Sequence, residues 1–179
     1  MDTPFTNTFA EGLAEAGFRA ARFEFPYMAE VRRTGQKRPP DRESVLRVTW
    51  LSVVAMLGSE RLVIGGKSMG GRIASLVADE AKVAGLVCLG YPFHPTAKPD
   101  QLRIEHLKAI RTPTLILQGT RDPFGSREEV EKYVLSSAVS LYWLEDGNHD
   151  FTPRRASGRT TAQNWREGIA AVKRFLEAL

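Results

Sequence analysis

Residues Arg61 to Ala81 (RLVIGGKSMGGRIASLVADEA) constrain the fold more than any other stretch: a short β-branched run ends in two glycines and passes at once into a helical period. A strand leading straight into a helix needs a tight turn. Gly66-Lys67-Ser68-Met69-Gly70 fits G-x-S-x-G, the pattern of a nucleophile elbow. A serine on such a turn sits in a strained backbone conformation, so its neighbours two before and two after are expected to be small. Its hydroxyl then projects above the sheet at a helix N-terminus, where free backbone donors, here the N–H of Met69, favour a developing oxyanion.

Strand, Gly-Lys-Ser, helix also suggests a phosphate-binding P-loop, but the spacing rejects it. G-x-x-x-x-G-K-[ST] needs a glycine five residues before Gly66, and Arg61 stands there, followed by Leu62, Val63 and Ile64. The plainer alternative makes Gly66 and Gly70 turn glycines and Ser68 a helix cap. The strand and helix that flank the motif favour the elbow.

The rest of the chain repeats the strand–helix theme. Phe9 to Phe18 reads as a helix ending near Gly17, and RAARFEFPY as a strand. The stretch from Asp41 to Gly58 reads as a helix with an acidic cap candidate and Val45, Val48, Leu51, Val54 and Ala55 on one side. VAGLVCLGYP, TPTLILQG and SLYWLEDG read as strands, and IEHLKAI, SREEVEKYVLSSA and NWREGIAAVKRFLEAL as helices. Apolar strands separated by helices predict an α/β fold: one domain over residues 1–179, with a doubly wound, mostly parallel sheet covered on both faces. Functional residues are then expected at the carboxyl ends of the strands.

A serine hydroxyl needs a base, and the base an orienting acid, in the chain order Ser, Asp or Glu, His. Asp122 follows the strand TPTLILQG, and His149 lies between the last strand and the last helix. Asp146 and Asp150 are nearby carboxylates that position alone does not exclude, and Asp122 before Pro123 could simply start a turn. Of the three histidines, His106 sits in a helical stretch where a surface or capping role is expected. His94 precedes Asp122, out of order for the base. Tyr27, Tyr91 and His94, at strand ends, are substrate-pocket candidates.

Composition narrows the alternatives. The 179 residues are 42% hydrophobic and 26% charged, enough for an ordinary globular core. No uncharged apolar run approaches about 18 residues and the N-terminus has no secretory leader, so no membrane partner and a cytoplasmic location are expected. The single cysteine, Cys88, lies in an apolar segment and reads as a small core residue; no disulfide and no metal site are expected. The net charge of +4 is concentrated in Arg32–Arg38 and Pro153–Arg159, which read as solvated loops without the aromatics of a nucleic-acid surface.

RFEFPYMA, RPPDR, LVIGGKSMGGR, GLVCLGYPFHP, TPTLILQGTRDPFG and the GNHDF and AQNW stretches together resemble the KANL3/Tex30-like branch of the α/β-hydrolase superfamily, related in outline to dienelactone hydrolases. The resemblance runs over essentially the whole chain and is most specific in GGKSMGGR. It implies the roles of Ser68, Asp122 and His149 by motif position and names no substrate. Relatives begin with an extra strand ending in a loop like H-G-A-G, before a segment matched here by Pro4-Phe5. This sequence starts inside that loop, so one of two oxyanion donors is expected to be missing. The implied choices are a start set too late or a weakened hydrolase, with exposed strand edges and a tendency to homo-oligomerise.

The residues thus predict a serine hydrolase, without cofactor, acting on a small carboxylic ester or thioester. The short span from Pro92 to Thr112 leaves no room for a large cap and implies an open site. The competing expectation is a hydrolase scaffold kept for protein interaction without turnover.

Overall fold

The computed structural model describes residues 2–179; Met1, where the expected oxyanion loop would join, lies outside them. Four apolar runs pair in chain order as a parallel sheet: β1 (Val63–Lys67), β2 (Gly85–Leu89), β3 (Thr114–Gly119) and β4 (Val139–Leu144). Alternate side chains point to opposite faces. Ile64, Leu86, Cys88 and Ile116 enter one core with Leu46, Trp50 and Val54 of α3 (Glu43–Leu57) and Ile73, Ala74, Val77 and Ala78 of α4 (Met69–Ala81). Val87, Leu115, Leu117 and Leu144 enter the other, with Phe5 and Phe9 of α1 (Pro4–Glu15) and Val172 of α6 (Thr161–Glu177). An apolar sequence on both faces of each strand is what a sheet covered twice requires.

Both helices of the second face start at capping boxes, Thr3 with Thr6 and Thr160 with Gln163, which satisfy the first free N–H groups. They pack closely because α1 carries Gly12 at the contact: a Cβ there would stand 2.7 Å from Ile169 Cδ1.

Six expectations need correction. RAARFEFPY forms no strand, since among the described residues none of residues 19–24 makes a ladder bond, and its last residues open α2 (Pro26–Thr34). The basic stretch from Arg32 therefore begins on α2 rather than in a loop. In α3 the buried face is Leu46, Trp50 and Val54, while Val45 and Val48 are exposed; Trp50, against the Phe23 ring at 4.6 Å, sets which side turns inward. Asp41 does not cap α3 but accepts from the Tyr27 N–H at 2.9 Å. IEHLKAI shrinks to a 3-10 turn at His106–Lys108, and SREEVEKYVLSSA to α5 (Arg127–Val130). The two segments hold each other instead: Ser136 donates from N to Leu107 O and from Oγ to Ile110 O, bonds that compete with continued helix.

Candidate active site

Ser68 joins β1 to α4 with φ 52° and ψ −118°, a conformation that costs a non-glycine residue about 1–3 kcal/mol. Two bonds hold it there, from Ser68 N to Leu89 O (2.9 Å) and from Arg72 N to Ser68 O (3.0 Å). Small neighbours are needed, though not at every expected position. A Cβ on Gly66 would meet the Gly70 carbonyl carbon at 3.0 Å, and one on Gly71 would meet Gly66 O at 2.6 Å. Gly70 faces open space, so the crowded glycine is one residue beyond the motif. Met69 opens α4, and its N–H is among the first-turn donors that have no intrahelical partner.

Asp122 lies in the turn after β3 and is fully buried. Its Oδ1 accepts from Phe124 N at 2.9 Å, and its Oδ2 from Gln118 Nε2 at 3.0 Å and His149 Nδ1 at 2.8 Å. A carboxylate so surrounded by donors acts as acceptor only, which assigns the proton to His149 Nδ1. Nε2 is then an acceptor, 2.9 Å from Ser68 Oγ. The alternative carboxylates are occupied elsewhere: Asp146 pairs with Arg121 and Arg154, and Asp150 with Lys67.

Strands are spaced about 4.8 Å apart, so the loop after β4 crosses roughly 14 Å of sheet to reach β1. Glycines let it lie low. Any Cβ on Gly119 would stand 2.3 Å from Gly147 O, and one on Gly90, at φ 66°, would stand 3.2 Å from His149 Nδ1. The Phe124 ring closes the other side of the imidazole at 4.4 Å. Ser68, His149 and Asp122 thus meet from three strand ends.

A profile of the alpha/beta hydrolase domain family matches residues 1–177. The chain belongs to that family. This hydrolase domain is 32% identical over 116 residues to the rat protein ABHD14B, provisionally named a protein-lysine deacylase; the match covers 64% of this chain and 52%, about half, of that relative. Among solved structures it resembles an α/β serine hydrolase homologue from Coxiella burnetii (TM-score 0.65, 23% identity, 92% of this chain and 74% of that one). It also resembles an α/β serine hydrolase described as lacking a lid, from Xanthomonas campestris (0.58, 18%, 92% and 70%). An esterase domain from Rhodothermus marinus is similar too (0.61, 16%, 96% and 81%). At these identities the structural likenesses establish the α/β-hydrolase fold.

The remaining expected site residues of the hydrolase domain are placed less simply. Tyr91 is fully buried, donating from its hydroxyl to Arg103 O at 2.8 Å, so it belongs to the core and lines no open pocket. His94 is 2% exposed, with Nδ1 against Pro95 O at 3.1 Å and Nε2 3.5 Å from Glu129, and is likewise enclosed. Tyr27, at the start of α2, is half-buried beside Phe25. His106 is half-buried rather than fully exposed: its Nε2 lies 2.8 Å from Ser75 Oγ, and burial, reinforced by Arg72, pushes its pKa down to about 4.

Gln118 is the site residue that the sequence reading missed. Fully buried, it donates to Asp122, Tyr91 O and Gly125 O and accepts from Tyr91 N at 2.7 Å. Its signal was a lone amide in the apolar run TPTLILQG. Among the described residues no group of three or more His, Cys, Asp or Glu could hold a metal ion, and no helix is long and apolar enough to cross a membrane. Two surface hollows, about 420 and 320 Å³, are lined by Arg159–Ala170 and by Leu51–Ala81 residues and include none of Ser68, Asp122 and His149.

Proposed function

We propose that this α/β hydrolase is a serine hydrolase acting on small or exposed acyl groups carried as carboxylic esters or thioesters. The reading rests on one observation: the continuous hydrogen-bonded line from Ser68 Oγ through His149 to Asp122. Ser68 attacks the carbonyl carbon while its proton passes to His149 Nε2, and Asp122 holds the imidazole and stabilises its charged form. Met69 N–H faces the oxyanion. His149 then protonates the leaving alcohol or thiol, and a water activated by the same imidazole releases the acid. Substrate size follows from residues 92–111, which fold as loop and a single 3-10 turn and build no lid. The GGKSMGGR elbow supports reading the chain within the KANL3/Tex30-like branch.

The kinship with ABHD14B supports a second substrate reading, an acyl group on a lysine amine, which the same serine chemistry could accept. A fluorophosphonate probe tests the mechanism: labelling of the wild type that vanishes in Ser68→Ala is expected, and a folded full-length protein that resists the probe overturns it. Turnover of p-nitrophenyl acetate, an acyl-cysteamine thioester and an acetyl-lysine peptide then ranks oxygen, sulfur and nitrogen leaving groups.

A further inference from the structure

The loop that carries His149 is tied firmly on one side and sparsely on the other. Within itself, Asn148 N donates to Thr152 O (3.1 Å), and Asn148 Oδ1 accepts from Asp150 N and Thr152 N, each at 2.9 Å. Towards β3 it is held by Arg121 N on Gly147 O (2.9 Å). Towards α6 it is held by Asn164 Nδ2 on Glu145 O and Phe151 O, and by Trp165 Nε1 on Asp150 O at 2.9 Å. Its nucleophile lies on the far edge of the sheet. Among the described residues, only two polar contacts join the loop to β1 and its turn: His149 with Ser68, and Lys67 Nζ with Asp150 Oδ1 at 3.2 Å.

Lys67 precedes the nucleophile and Asp150 follows the base. The Lys67 side chain is only 18% exposed, and its ammonium stands 5.4 Å from the centre of the Phe5 ring on α1. Asp150 is braced from behind by Trp165. An exposed pair between mobile side chains holds little. Here Lys67 ends β1 with its ammonium largely withdrawn from water, and the Asp150 backbone, though on the loop, is held by Trp165. Asp150 already neutralises that ammonium, which argues against a binding point for an anionic substrate.

We propose that Lys67 and Asp150 form a clasp that positions His149 over Ser68. They are positioning residues, acting through the base and touching no reacting atom. The kinetic half of this inference rests on the serine-hydrolase reading; the structural half rests on the contacts alone.

Amide hydrogen exchange and p-nitrophenyl acetate kinetics test it together in Lys67→Met, Asp150→Asn and Lys67→Arg. Asp150 is 64% exposed and Asn is isosteric, so that variant folds even if Lys67→Met does not. In Lys67→Met and Asp150→Asn the amides of Asp150, Phe151 and Thr152 should exchange about tenfold faster while those of β3 do not change, with kcat down about tenfold at unchanged KM. Lys67→Arg, which keeps the cation, should stay within about twofold of wild type. Unchanged loop exchange in Asp150→Asn overturns the clasp, as does a kcat loss that Lys67→Arg shares in full. If the wild type turns over no ester, the serine-hydrolase reading falls while loop exchange still decides the clasp.

Discussion

Asp122 can orient His149 because Gln118 and the Phe124 N–H already fix its two oxygens. Replacing Gln118 by Leu leaves the Tyr91 N–H and the Gly125 carbonyl without partners in a dry interior, while the Tyr91 carbonyl keeps the Phe93 N–H. A loss of about 3 kcal/mol in denaturant unfolding is expected, with slower fluorophosphonate labelling as Asp122 loosens. Asp146 shows the opposite use of a carboxylate. Its hydrogen bond from Arg154, helped by Arg121, holds its pKa at about 2, below the ordinary 3.8. The folded value lies below the unfolded one, so the stability it contributes is present above 3.8 and is lost as pH falls to about 2. The melting-temperature gap between wild type and Asp146→Asn should therefore be open at neutral pH and close across that window.

At the scale of elements, α4 carries strain at both ends. Ser68 at its start is bound into the site, whereas Lys82 at its end is exposed and left-handed at φ 52° and ψ 41°. Glycine adopts that conformation freely, so Lys82→Gly should raise stability by about 1 kcal/mol in chemical denaturation without slowing labelling of Ser68. The elements that could be read from the chain are those whose burial is written in the sequence itself. The four strands are short, mostly apolar runs between turn residues, and the elbow pattern is flanked by the strand and helix that it needs. Where tertiary partners decide, the local sequence does not specify the element. RAARFEF has strand composition but no ladder to join, and the segments around His106 and Ser136 exchange helix for bonds to each other. On α3 an apolar period exists on more than one side, and Trp50 decides between them.

For the molecule as a whole, the order Ser68, Asp122, His149 was legible because a parallel sheet presents its strand ends on one edge. What lay behind those three was not. Gln118, Lys67 and the enclosure of Tyr91 and His94 depend on neighbours distant in sequence. The same burial shapes the response to acid. His106 is kept neutral in the fold, with its pKa near 4 against 6.5 ordinarily, so the unfolded chain takes up a proton first. Stability should be full above 6.5 and fall as pH drops towards about 4. Thermal melts of His106→Gln should lose this first decline and keep the lower one that belongs to Asp146.

The chain's one cysteine, Cys88, is wholly buried beneath the elbow, its Sγ 3.5 Å from Gly71 O, and burial pushes its thiol pKa far up. A sulfhydryl reagent can reach it only when the sheet parts under Ser68. The native protein thus carries its own clock for such openings, with no label to engineer: the pace of alkylation counts them, and a phosphonate seated on Ser68 should make that clock run slow.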